Sequence, residues 1–212
     1  MSQQRLFLSG GGDENQVSVL DDVYASTIGH SAHVLYIPVA WKNGDFDSCF
    51  DWLTRAFKRF DFKIDMWTSL EVRTYSEIEK YDSIYIGGGN TFSLLHDVRK
   101  TGFGDVLRQY IDAGKVVYGG SAGAIILGKD IRTAGLGKDA DKNTIVLQAF
   151  EGLDLVEGFS IQCHYEKDQE EELRRFSTKH TLPILALSEN SGIYVEGAQI
   201  HEIGEPALVV NP

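Results

Sequence analysis

Short runs of consecutive apolar residues alternate along the chain with longer stretches in which apolar positions recur at helical spacing. Runs of four or five apolar residues bounded by Gly, Asn or Asp are the mark of strands buried on both faces, and the stretches between them read as covering helices. Strands are predicted over residues 6–9, 33–37, 63–67, 83–86 and 116–118, and helices over 16–28, 46–60, 91–100 and 103–113. In the last helix Val106, Leu107, Tyr110 and Ile111 share one face and Gly114 supplies the stop. This βα alternation predicts a doubly wound α/β sandwich with a mainly parallel sheet.

The second half is less periodic. Residues 130–143 are polar and Gly-containing, which predicts a surface excursion. Strands are expected at 145–150, 160–163, 184–187, 192–196, 199–203 and 207–210, with a charged helix over 166–179 and a hairpin through Glu196-Gly197-Ala198. No Pro- or Ser-rich linker divides the 212 residues, so one domain spanning 1–212 is expected.

In a parallel α/β sheet ligands bind beyond the carboxyl ends of the strands. Three Gly-rich turns fall there: Gly10-Gly11-Gly12, Gly87-Gly88-Gly89-Asn90 and Gly119-Gly120-Ser121. The third continues as Ala122-Gly123 into the helix-prone Ala124-Ile125-Ile126-Leu127. A serine between small residues at a strand-to-helix turn has the form of a nucleophile elbow, because only small neighbours let the chain pass so close to itself. The following helix start would face any oxyanion formed at that serine with its unpaired N–H groups.

A serine hydroxyl needs a base. Of six histidines, His30 and His33 fall at the amino end of a strand, His96 lies within a helix, His180 ends the charged helix and His201 lies in a late strand. His164 instead follows the strand over 160–163, on the edge where the base must stand. Adjacent Cys163 points to the opposite face and reads as a buried structural thiol. Ala122 and the Gly88-Gly89-Asn90 turn are the candidate oxyanion donors. That turn is not followed by Lys-Ser or Lys-Thr, which argues against a P-loop, although Gly-rich turns also serve as anion nests in non-enzymatic modules.

Composition adjusts this picture in two ways. A formal charge of −11 disfavours general nucleic-acid binding. No run reaches membrane-spanning length, no secretory signal opens the sequence, and Cys49 and Cys163 have neither metal-ligand spacing nor disulfide density. A cytoplasmic protein is expected, without membrane or nucleic-acid partners. A homodimer stays open.

Taken in order, Ile86-Gly87-Gly88-Gly89-Asn90-Thr91-Phe92-Ser93-Leu94-Leu95, Gly120-Ser121-Ala122-Gly123-Ala124, Ile131-Arg132-Thr133 and His164-Tyr165 resemble the blocks of the peptidase E (aspartyl dipeptidase) family of serine peptidases. Cyanophycinases are more distant relatives, and the glutamine amidotransferase-like fold is the broader setting. The resemblance implies hydrolysis of dipeptides with an amino-terminal aspartate, without metal or organic cofactor. Ser121 would be nucleophile, His164 base, and Gly89 and Ala122 oxyanion donors. The chain departs from the family pattern at two points. The acid expected after Ile-Arg-Thr is displaced, which favours Asp139 and leaves Asp141, Asp130 and Glu189 as rivals; the Pro expected before the histidine is Cys163. Arg132 is the candidate for a substrate carboxylate and Glu189 for a substrate ammonium. Another amide, isoaspartyl or polymer-derived, is the alternative substrate.

Overall fold

The computed structural model describes residues 4–41, 44–71 and 73–212. Among the described residues ten strands and seven α-helices follow one another as β1 (Arg5–Ser9), α1 (Ser18–Ile28), β2 (His33–Ile37), α2 (Phe46–Ala56), β3 (Lys63–Met66), α3 (Tyr75–Ile78), β4 (Ser83–Ile86), α4 (Thr91–Thr101), α5 (Phe103–Asp112), β5 (Val116–Gly120), α6 (Ala122–Leu127), β6 (Ser160–Gln162), α7 (Glu170–His180), β7 (Ile184–Ala186), β8 (Ser191–Glu196), β9 (Gln199–Gly204) and β10 (Leu208–Val210). Seven strands form one sheet in the order β3-β2-β4-β5-β1-β8-β9. Its first five are parallel, and β8 and β9 extend it antiparallel. A separate three-stranded sheet, β10-β7-β6, carries the rest.

The central strands β4 and β5 are buried along their whole length, as their unbroken apolar runs require. Side-chain alternation sorts the two faces. Leu6, Leu8, Leu35, Ile37, Ile84, Ile86 and Val117 pack with Leu94 and Leu95 of α4, Leu107 of α5 and Ile126 of α6. On the opposite face the register sets Tyr36 beside Tyr85, Tyr85 beside Tyr118, Tyr118 beside Phe7 and Phe7 beside Tyr194. This aromatic ladder crosses the sheet under α1 and α2, with Tyr85 and Tyr118 stacked at 4.6 Å and Phe7 and Tyr194 at 4.5 Å between ring centroids. Such pairs add about 0.5–1.5 kcal/mol each beyond their buried area.

The mainly parallel α/β architecture follows the sequence pattern, with three corrections. Residues 145–150 form no regular strand. Asn143 instead holds the backbone of Leu147 through both amide atoms, so local side-chain bonds replace a ladder. Residues 130–143 are not wholly a surface excursion, because Ile131–Gly135 is a 3-10 helix whose Ile131 and Thr133 are fully buried. The late strands divide between two sheets, whereas periodicity alone does not distinguish them. Among the described residues no helix is long and apolar enough to cross a membrane.

Candidate active site

Strands β4, β5 and β1 are consecutive in the sheet, so the three Gly-rich turns at their carboxyl ends stand side by side. Ser121 links β5 to α6 at φ 50° and ψ −110°, outside the regions that L-residues ordinarily occupy. Backbone strain of this kind persists only where the surroundings over-determine it. Here close crossing does so: a Cβ on Gly119 would lie 2.6 Å from the Gly123 carbonyl, and one on Gly123 would lie 2.2 Å from the Ile86 oxygen. The Ser121 N–H donates to the Ser9 carbonyl at 3.3 Å.

His164 comes from the small sheet, just beyond β6, and also has positive φ, 52°. Its backbone N–H donates to the Gly10 carbonyl at 2.8 Å. Successive carbonyls at the end of β1 therefore hold both residues. The imidazole Nε2 lies 2.9 Å from Ser121 Oγ. It packs against Gly11, where a Cβ would come within 2.3 Å of the ring.

The carboxylate that meets the second ring nitrogen is Glu189, with Oε1 3.2 Å from Nδ1. Tyr165 N–H and Leu187 N–H cross-link the two loops through Leu187 O and Gln162 O, which brings Glu189 back over His164. Gln16 Nε2 donates to the other carboxylate oxygen of Glu189 at 3.0 Å. Asp139, expected from the displaced block, is exposed and makes no hydrogen bond to the ring, because the loop after the 3-10 helix carries it along the rim of a cavity. Asp141 accepts from the Thr91 N–H at 2.8 Å, and Asn90 Nδ2 donates to the Lys142 carbonyl at 3.0 Å, so this loop clamps the Gly88–Asn90 turn. Burial raises the Asp141 carboxyl above its usual range, against the opposing pull of the Thr91 bonds and His164. Asp130 is directed away, paired with Arg132.

Gly88 lies against the serine, where a Cβ would be 3.4 Å from Ser121 Cβ, and Gly89 lines a cavity with Ser121 and His164. Ala122 is the first residue of α6 and wholly buried. Asn90 caps α4 through Ser93 N–H, so both ends of its amide are engaged within the protein. Arg132 holds Asp130 through Nε and Nη2 at 2.9 and 2.8 Å and meets His180 through Nη1, which turns it from the serine. Cys163 is buried, its thiol 3.6 Å from the carbonyl oxygens of Ser9 and Ser121, and burial pushes its pKa up strongly.

Two cavities flank Ser121. One, of about 350 Å³, opens beside Gly88 and Gly120 and is walled by Tyr36, Tyr85, Trp41 and Trp52. The other, of about 100 Å³, lies on the His164 side and contains Asp139, Asp141, Gln162 and Gln169. Among the described residues no group of three or more His, Cys, Asp or Glu is gathered to hold a metal ion.

A strained serine between a parallel strand and a helix, joined to an imidazole that a carboxylate meets from behind, is the arrangement of a serine hydrolase. The model of peptidase family S51 matches residues 6–203, and the chain belongs to this family of serine-type peptidases. It is 27% identical over 187 residues to peptidase E of Shewanella amazonensis, covering 83% of this chain and 76% of that one. A Drosophila melanogaster protein named "Probable alpha-aspartyl dipeptidase" is 26% identical over 197 residues, with 88% and 78% covered. The solved structure of a Listeria monocytogenes EGD-e protein assigned to peptidase E superposes with a TM-score of 0.74 at 24% identity over 95% of this chain and 98% of that one. A peptidase from an acI-B1 Actinobacterium gives 0.70 at 16% identity, with 100% and 96% covered. Both structures share this fold.

Proposed function

We propose that this single-domain chain is an exopeptidase that hydrolyses dipeptides through an acyl-enzyme on Ser121, with His164 as base and Glu189 as the acid that orients it. The observation that carries the reading is the 2.9 Å contact of Ser121 Oγ with His164 Nε2, backed by Glu189 on Nδ1. Ser121 Oγ attacks the scissile carbonyl carbon as its proton passes to Nε2. The C–N bond then breaks and the amine leaves with that proton. Water next gives a proton to Nε2 while its oxygen attacks the acyl carbon; the bond from that carbon to Ser121 Oγ then breaks, Oγ takes the proton back from Nε2, and the acid product leaves. The N–H of Ala122, at the start of α6, and those of the Gly88–Gly89 turn are the donors for the oxyanion. Glu189 replaces Asp139 in this scheme because it is the carboxylate in contact with the ring.

The names of the relatives make amino-terminal aspartate the first preference to assay. A specific observation favours a second substrate: Arg132 is engaged by Asp130, and no arginine or lysine among the described residues lines either cavity. Release of p-nitroaniline from the Asp, Leu and Ala p-nitroanilides, by wild type and Ser121→Ala, tests both points. Turnover lost in the variant supports the serine mechanism, and the order of the three substrates fixes the preference. Turnover unchanged by the substitution would remove Ser121 from the reaction.

A further inference from the structure

Of the two cavities at Ser121, the larger is lined by Gly11, Gly12, Gly88 and Gly120 rather than by His164 itself, and is built from the aromatic end of the sheet ladder, where Tyr36 and Tyr85 are almost wholly buried. Trp41 and Trp52 complete its wall, and Cys49 lies in its lining. Its volume of about 350 Å³ falls in the range of small-molecule sites. Among the described residues its one lining acid is Asp45, whose carboxylate accepts from both the backbone and hydroxyl of Ser48. Those bonds hold the Asp45 carboxyl below its usual range, so this exposed residue keeps its negative charge at the cavity.

The direction of the reaction says which part of the substrate faces this wall. The departing amine takes its proton from His164 Nε2, so it leaves on the His164 side, where the smaller cavity lies. The larger cavity, which His164 does not line, is then the space left beside Ser121 for the side chain of the residue whose carbonyl is attacked. We infer that the aromatic cavity beside Ser121 selects peptides with a large apolar or aromatic amino-terminal residue, and rejects amino-terminal aspartate. This rests on the serine-peptidase reading of the site. An aspartate side chain there would meet aromatic faces and the Asp45 carboxylate, whereas a phenyl group would stack and leave water.

Two measurements test the assignment together. The first is kcat/KM of wild type on Phe, Leu, Ala and Asp p-nitroanilides, repeated for Cys49→Phe, which narrows the cavity. The second is calorimetric binding of Phe-Ala and Asp-Ala to Ser121→Ala, which needs no chemistry. The expected result is Phe at least about tenfold above Ala with Asp lowest, a Phe-to-Ala ratio at least about tenfold smaller in Cys49→Phe, and tighter binding of Phe-Ala than of Asp-Ala. Preference for Asp, or a flat order that Cys49→Phe leaves alone, overturns the assignment while leaving the serine mechanism intact. If wild type cleaves none of the substrates, binding decides: tighter Phe-Ala keeps the cavity assignment and removes the peptidase reading, and equal or reversed affinity removes the assignment.

Discussion

The turn that carries Ser121 and the loops that carry His164 and Glu189 lie within a few ångströms of one another but are specified differently. Ser121 depends on neighbours in sequence: small residues at 119, 120, 122 and 123 permit the crossing that holds its backbone at φ 50°. His164 and Glu189 depend on remote contacts, with the Gly10 carbonyl, the Gly11 face and the Gln16 amide all coming from the first strand and the turn after it. In the proposed mechanism the nucleophile is thus encoded in five residues, while the base and its acid are encoded in how three distant segments pack.

Breaking each partner separately should expose this difference. Ser121→Ala removes the nucleophile and should lower kcat by about 10⁵-fold with little change in fold, measured by p-nitroaniline release and circular dichroism. Glu189→Gln should keep the packing but lose the charge behind the imidazole, costing about 10³-fold in kcat with a smaller effect on KM. Gly11→Ala tests remote placement: the residue holds φ 104°, so alanine there strains the turn as well as crowding the ring. Its methyl would displace the His164 ring, and a shift near 1 Å costs about 10²-fold; a fully active Gly11→Ala protein would contradict the assigned ring position. Asp139→Asn, on the exposed rim, should change kcat/KM by no more than about threefold. A larger loss would return Asp139 to the proton-transfer chain.

A fifth substitution separates stability from activity. Asp21 is a buried residue of α1 that accepts from Tyr118 Oη at 3.0 Å, and burial raises its carboxyl from 3.8 to about 7. The unfolded chain releases this proton near pH 4 and the folded chain only near pH 7, so wild-type stability should fall as pH rises between them. The loss is on the order of 4 kcal/mol at most. Asp21→Asn should abolish that fall, so that its Tm exceeds wild type by a margin that grows from pH 4 to pH 8, with activity unchanged. A constant margin would show that Asp21 titrates normally.

The same contrast explains what could be read from the chain before its structure. β2 and β4 fall on the predicted residues because buried parallel strands leave unbroken apolar runs. The turn at Ser121 and the placement of His164 at a strand's carboxyl end are legible for the same local reasons. The acid was not, since Asp139, Asp141, Asp130 and Glu189 are all loop carboxylates by sequence. Only the cross-links of Leu187 to the β6 segment distinguish Glu189. Gln16 falls within the predicted helix over 16–28, but α1 begins at Ser18, and this frees its side chain to reach Glu189. The aromatic cavity is hidden in sequence because Tyr36 and Tyr85 belong to different strands and Trp41 and Trp52 to the segment between.

The carbonyls of Ser9 and Gly10, which anchor Ser121 and His164, lie at the end of β1, which is made before the other strands of its sheet and placed between β5 and β8. β1 pairs Arg5 with Val116 on one side and with Glu196 on the other. Bringing such remote partners together carries a loop-closure cost before any contact rewards it, and folding slows accordingly. As the chain emerges from the ribosome, the serine turn can form once residues near 128 are out. The anchored histidine must wait for β6, and the acid for the residues that lead into β8. On the proposed mechanism, peptidase activity should therefore wait for the residues that lead into β8, and a nascent chain halted before Glu189 should carry the nucleophile without the means to use it.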